Sequence, residues 1–380
     1  MTHVYIIRHA EAEGNVFRRC HGHYNSYITS RGMRQIDALA ERFKDIHIDA
    51  LYSSDLRRTV TTSGAITKYH GLEIIKDRNL REQYLGSWED MPFGDLDYLY
   101  PEQMYCFNHD PENWTVAKGE SFGNLQKRIV SEILKLANEN DGKTIACVTH
   151  GMAIRAFIAY VLQLKPTDIG QIPYGDNTCV GSFFIEGDKI TAEYYNDNSH
   201  LEASGDSTFA RQSWWKDKGR KDRCNLRLVP LNPAENPEIY EHFYREAWRS
   251  VHNTEEGFYL IDYLPAARRH YEKEPRSLMI AKYGEETVGL IELDCISGCH
   301  DNMGRISLIC VEPEYRGKQF AVQLLGHAVS LFRAMGYDRI GLTCFEGNER
   351  ALAFYGEYGF KEVSRSRGHF GYLLNMERSI

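Results

Sequence analysis

Four consecutive apolar residues, Val4-Tyr5-Ile6-Ile7, run straight into Arg8-His9-Ala10-Glu11 and then Gly14-Asn15. A short apolar run bounded by small and polar residues reads as a buried β-strand. Its end presents Arg8 and His9 at the carboxyl edge of a sheet, where open α/β folds bind ligands. Arginine offers a planar fork of donors suited to phosphate, and histidine a nitrogen that is largely neutral near pH 7. Taken alone, the dipeptide fits an ordinary wet loop better.

The following 190 or so residues repeat the strand-then-helix alternation of a sheet covered on both faces. Thr29 is placed to cap a helix over 30–44, with Ile36, Leu39, Ala40 and Phe43 as its apolar stripe. Residues 50–53 form a strand, and a helix over 56–69 sets Arg58 in its first turn. A cation there opposes the helix dipole, so an anion within its reach explains it better. Neighbouring Arg57 reads as a solvated surface residue. A strand over 73–76 precedes residues 79–112, aromatic and weakly periodic, which read as an irregular cover over the strand edge. Ser121 caps a helix to about 138, 144–149 is a buried strand, and His150-Gly151 opens a helix over 152–162. Two closing strands, 179–185 and 190–195, join through Gly187-Asp188.

Arg8-His9 with Asn15 is followed by Ser53-Ser54-Asp55-Leu56-Arg57-Arg58-Thr59, by Leu80-Arg81-Glu82 with Gly86-Ser87-Trp88-Glu89, by Gly119-Glu120-Ser121, and by Val148-Thr149-His150-Gly151. In this order the motifs resemble those of the histidine phosphatase superfamily, which includes the phosphoglycerate mutases, over roughly the first 200 residues. The resemblance implies a three-layer α/β/α fold and a phosphohistidine formed on His9. Arg8, Asn15, Arg58 and His150 would hold the phosphate. Glu82 would protonate the leaving alkoxide and then activate water, with no metal. Three cationic groups around one imidazole disfavour its protonation and keep it nucleophilic. Burial by Tyr84 and Trp88 is expected to raise the Glu82 pKa. Ala10 departs from the family's usual glycine, and Asp90 stands where glycine or asparagine often follows Trp-Glu. The short stretch between Trp88 and Gly119 favours hydrolysis over mutase action.

From Asn196 to Arg223 the composition changes to Asn, Ser, Gly and Asp, and then to a basic run around Lys216–Arg223. Residues 201–225 read as a linker carrying a short helix over 208–216, between a domain of 1–200 and another of 226–380. The second domain begins with a strand over 226–229 and a helix over 235–249. Strands follow over 278–283, 287–293, 306–311 and 339–345, helices over 321–335 and 349–358, and a terminal strand near 369–376. The strand into Tyr315-Arg316-Gly317-Lys318 and then a long helix is an arrangement that cradles phosphate. With Asn348, Ala351, Tyr355, Gly359 and Phe360 it resembles the GNAT superfamily of N-acetyltransferases, which implies a mixed-sheet fold.

That resemblance places acetyl-CoA on Val311, Arg316, Gly317, Lys318, Gln319, Phe320, Ala321 and Asn348, with Tyr355 donating a proton to the departing thiolate. The competing reading of Tyr355 is an aromatic on the apolar side of its helix. Gln319 replaces a usual glycine where backbone approaches pyrophosphate. No general base stands out: Glu292 and Asp294 share one face of their strand, where either fits a solvated edge equally well.

A net charge of −8 argues against a general nucleic-acid or acidic-membrane binder. No apolar run approaches the roughly 20 residues of a membrane span. A leaderless start and nine irregularly spaced cysteines point to the cytoplasm. Cys295, Cys299 and His300 read as ordinary loop residues rather than a metal set. The sequence therefore predicts a bifunctional enzyme acting on a small phosphomonoester and a small amine, with its oligomeric state open. The alternatives are a phosphatase with a regulatory coenzyme A-binding domain, and a non-catalytic metabolite sensor.

Overall fold

The computed structural model describes residues 1–211, 224–297 and 301–380. The basic run, most of the helix expected over 208–216, and Cys299 and His300 lie outside the described residues. The chain divides into two compact units, the second carrying Cys224–Ile380.

The first unit contains six strands: β1 (Thr2–Arg8), β2 (Ala50–Ser53), β3 (Ile74–Lys76), β4 (Thr144–Thr149), β5 (Val180–Glu186) and β6 (Lys189–Asp197), in the order β3-β2-β4-β1-β5-β6. The first four are parallel, and β5 and β6 are antiparallel additions at one side. Alternate residues of each strand feed opposite cores. Val4, Ile6, Ile145 and Cys147 pack with residues of the helices Phe122–Glu139 and Gly151–Val161. Tyr5, Ile7, Ala146 and Val148 pack with the helices Ser30–Phe43 and Arg57–His70. Two apolar faces on one sheet require a layer of helices on each, which gives the three-layer fold.

Capping sets where those helices begin. Thr29 Oγ1 accepts from Gly32 N at 3.0 Å, and Ser121 Oγ from Asn124 N at 3.2 Å. Register then sets the site. Arg8 pairs with Thr149, and Ser53 with Val148, so His9, Ser54 and His150 all leave the sheet at one edge. The expected irregular cover over 79–112 is a correction: it contains the helices Phe93–Leu99 and Pro101–His109. The second buries Met104 alone, so no apolar stripe marks it in the sequence.

The second unit contains β7 (Arg227–Pro230), β8 (Leu278–Tyr283), β9 (Glu286–Asp294), β10 (Met303–Val311), β11 (Arg339–Phe345), β12 (Lys361–Arg367) and β13 (Tyr372–Ser379). Their order is β12-β13-β11-β10-β9-β8-β7. All neighbours are antiparallel except β10 and β11. That parallel pair holds only from Met303 opposite Arg339 to Ile306 opposite Leu342, although both strands continue. The sheet thus parts between them, beside a register shift in β10 between Ile306 and Leu308. No sequence pattern marks the helix Leu264–Lys273 or strand β12. The helix buries only Ala267 and His270, and every residue of β12 is exposed, so neither shows an apolar period.

Candidate functional site

At the β1–β4 edge His9 is buried, and its Nδ1 lies 2.7 Å from the carbonyl oxygen of Ala10. A carbonyl only accepts, so Nδ1 carries the hydrogen and the neutral ring leaves Nε2 as a bare lone pair. Burial holds the His9 pKa well below the ordinary histidine value, and Arg58, Arg8 and His21 add to the effect. Its ring centre is 5.4 Å from that of His150 and 5.7 Å from that of His21. His150 is also buried, with Nε2 2.9 Å from Ser54 Oγ and Nδ1 lacking a partner among the described residues. Burial, then Arg58 and the neighbouring imidazoles, hold His150 neutral as well.

Two arginines face these rings. Arg58 is fully buried; its terminal nitrogens donate to the carbonyls of Tyr24 (3.0 Å), His21 (2.9 Å) and Gly22 (2.8 Å), and its Nε has no partner among the described residues. Burial lowers its pKa to about 10, with Glu82 and Glu89 opposing, so it remains cationic at neutral pH. Arg8 donates Nη1 to Gly175 O at 2.6 Å, and its Nε is likewise buried without a partner among the described residues. Buried donors left open beside a bare nucleophile are what an incoming anion would satisfy. Arg57, by contrast, is exposed and stacks on Tyr27 at 4.0 Å.

Glu82 accepts from Met152 N and Ala153 N, both at 3.0 Å, at the start of the helix that follows His150. Gln83 N adds a third bond at 2.9 Å. The expected cover by aromatic rings is corrected: Tyr84 is exposed beside His23, and Trp88 packs among Tyr100, Phe107 and Trp114. Asn15 Oδ1 accepts from Ala12 N at 2.9 Å, and its amide nitrogen lies 3.4 Å from His21 Nε2. Asp90 adopts φ +61°, the conformation that favours glycine or asparagine, and accepts from Arg19 Nε at 2.7 Å.

In the second unit the chain leaves β10 at Val311, whose carbonyl accepts Arg316 Nε at 2.9 Å. Arg316 Nη2 bonds Glu246 Oε1 and Ser250 Oγ, each at 2.9 Å, so that guanidinium is already engaged. Gly317 (φ +80°) and Gln319 (φ +62°) are both left-handed, and Lys318 Nζ lies 4.4 Å from the Tyr315 ring centre. The helix Phe320–Ala334 starts without a side-chain cap, which leaves its first amides, Ala321's among them, available to an anion. Asn348 caps its own helix, its Oδ1 accepting from Ala351 N at 3.2 Å. Tyr355 is buried, its hydroxyl has no partner among the described residues, and burial raises its pKa, keeping the phenol protonated.

Residues 4–198 match the sequence model of the histidine phosphatase superfamily (branch 1). The chain belongs to that superfamily. Residues 238–360 match the acetyltransferase (GNAT) family, so a GNAT domain follows the histidine phosphatase domain. Phosphoglycerate mutase-like protein 4 of Arabidopsis thaliana is 31% identical over 206 residues, covering 53% of this chain and 88% of that protein. Phosphoserine phosphatase 1 of Hydrogenobacter thermophilus is 28% identical over 162 residues, covering 43% and 77%. Among solved structures, Bacillus stearothermophilus YhfR is 26% identical with a TM-score of 0.52, covering 53% of this chain and all of that one.

In the histidine phosphatase domain, Arg8, His9, Arg58 and His150 converge on one buried point, and Asn15 reaches it through His21. His21 was missed: it lies in the irregular segment before Thr29, where no periodicity or motif marks it. Among the described residues no group of three or more His, Cys, Asp or Glu side chains is arranged to hold a metal ion. In the GNAT domain, Val311 and Gly317 to Ala321 form one loop and helix start, whereas Arg316 and Asn348 serve the protein's own scaffold.

Proposed function

We propose that the histidine phosphatase domain hydrolyses a small phosphomonoester through a phosphohistidine, and that the GNAT domain acetylates a small amine from acetyl-CoA. The domains of this reading are residues 1–200 and 226–380, joined by 201–225. The observation that carries the first activity is the bare Nε2 of a neutral, buried His9 beside two arginines with unpartnered Nε atoms. Nε2 attacks phosphorus, the P–O bond breaks, and the alkoxide leaves with a proton delivered by Glu82. Glu82 then takes a proton from water, whose oxygen displaces His9 and releases phosphate. The name of the phosphoserine phosphatase relative supports a hydrolytic reaction on a phosphomonoester. The described cysteines are free, which agrees with a reducing cytoplasm.

In the second activity the ammonium, and later the new amide nitrogen, each release a proton to solvent. The amine attacks the thioester carbonyl, C–N forms as C–S breaks, and the thiolate takes the Tyr355 proton, which solvent replaces. The parted β10–β11 edge and the uncapped helix after it support this reading. One observation favours a second reading, in which the domain binds coenzyme A and regulates the phosphatase: Arg316 and Asn348 are engaged elsewhere. Thiol release from acetyl-CoA across an amine panel, run beside phosphate release with and without acetyl-CoA, separates the two.

A further inference from the structure

A cavity of about 390 Å³ lies in the second unit, with Tyr263, Arg269, His270, Asp294 and Ser307 in its walls. His270 Nδ1 lies 2.9 Å from Glu292 Oε1, and its Nε2 lies 3.3 Å from Asp294 Oδ1. With a carboxylate at each ring nitrogen, the imidazole is held as the cation. Glu292 is no solvated edge residue: it is buried, and it also accepts from the hydroxyls of Tyr240 (2.9 Å) and Tyr244 (2.5 Å). That leaves its charge answered inside the wall. Asp294 accepts from Ile296 N at 2.8 Å and Ser297 N at 2.9 Å, and the Ser297 hydroxyl also donates to it.

The charged groups lining the cavity are therefore Asp262, Glu292 and Asp294 against Arg269 and His270, one carboxylate in excess. Asp262 and Arg269 are exposed at the rim, and neither has an ion-pair partner among the described residues. An excess carboxylate asks for a cation, and an unpaired guanidinium asks for a carboxylate or phosphate. A volume near the lower end of small-molecule pockets, roughly 300–1,000 Å³, suits one compact molecule carrying both charges rather than a protein segment. Ser307 ties the cavity to β10. It follows Ile306, the last β10 residue paired with β11, so the cavity reaches the point where the strands part.

We propose that this cavity is the acceptor site of the GNAT domain and takes a small primary amine that also bears an anionic group. Its ammonium lies against Asp294 and Asp262, and its anion on Arg269. The assignment rests on the acetyl-transfer reading above. A polyamine leaves Arg269 unanswered, and a lysine in a peptide brings its anion only by chance.

The test uses the full chain with acetyl-CoA and follows thiol release with β-alanine, L-glutamate, O-phosphoethanolamine, ethanolamine, spermidine and an N-terminally blocked lysine peptide. Acetyl-CoA binding is measured by calorimetry, and melting temperature checks each variant's fold. At least one of the three amine–anion compounds should exceed the other three in kcat/KM by tenfold or more. Arg269→Met, at an exposed position, should raise the KM for that compound tenfold and leave ethanolamine within twofold. Asp294→Asn should raise the KM for every amine while the KM for acetyl-CoA stays within twofold. Preference for spermidine or the peptide, unchanged selectivity in Arg269→Met, or acetyl-CoA binding with no turnover of any compound overturns the acceptor assignment alone. Absence of acetyl-CoA binding overturns the acetyl-transfer reading and this assignment with it.

Discussion

His9 lies among Arg8, Arg58 and two further imidazoles, while His270 has a carboxylate at each ring nitrogen. Both are buried, yet they carry opposite charge states. Burial alone lowers a histidine pKa in either place. Around His9 the arginines push the same way; around His270 the hydrogen bonds to Asp294 and Glu292 override burial and lift the value to about 9. Burial, helped by cationic neighbours, keeps His9 neutral, and only the carboxylates at both ring nitrogens reverse its effect at His270.

The largest expected effect comes from removing the neutral ring. His9→Ala should lower phosphatase turnover by about 10⁴-fold or more, as loss of a covalent nucleophile does elsewhere. Steady-state phosphate release measures this, and near wild-type turnover in the variant breaks the assignment. Next in size is Glu82→Gln. It should slow alkyl phosphates by about 10²- to 10⁴-fold and spare p-nitrophenyl phosphate to within a few-fold, because only the alkoxide needs a proton. Equal losses on both substrates remove Glu82 from that role.

A pH experiment sharpens the comparison directly. The folded-state pKa values of His9, His21 and His150 are depressed, so below about pH 6.5 the unfolded chain binds protons that the folded chain refuses. Their neutral burial therefore destabilises the first unit progressively as pH falls below about 6.5. His270 has the reverse sign. Its stabilisation is full below about pH 6.5 and is lost as pH rises through about 9. Denaturant midpoints from pH 5 to 10 should show an alkaline loss that is smaller in His270→Gln. Parallel curves for the two chains refute the cationic His270.

The smallest effect concerns Gln319. A non-glycine residue at φ +62° carries strain of about 1 kcal/mol. Gln319→Gly should relieve it and tighten acetyl-CoA a few-fold by opening the loop to closer approach. Calorimetry checks both the affinity and the melting temperature, and weaker coenzyme binding in the variant contradicts the account.

Much of this was legible in the sequence where apolar periodicity and capping coincide. The helices Ser30–Phe43 and Phe122–Glu139 announce themselves through Thr29, Ser121 and their stripes. The helix Leu264–Lys273 does not, because it turns Ala267 and His270 inward and keeps charge on its other faces. That silence hid the acceptor cavity, since one wall depends on it. In the first site His9, Arg58, Glu82 and His150 were readable as a pattern. The amides that hold Glu82 were not, because they depend on where the helix Gly151–Val161 begins in space.

The most direct test of the neutral-histidine account is to trap the intermediate. The full chain is mixed with a phosphomonoester that it turns over, quenched in alkali, and digested for mass spectrometry. The account predicts phosphate on the peptide carrying His9, stable to base, labile to acid, and absent in His9→Ala. Sustained turnover with no phosphate on His9 at any quench time would contradict it.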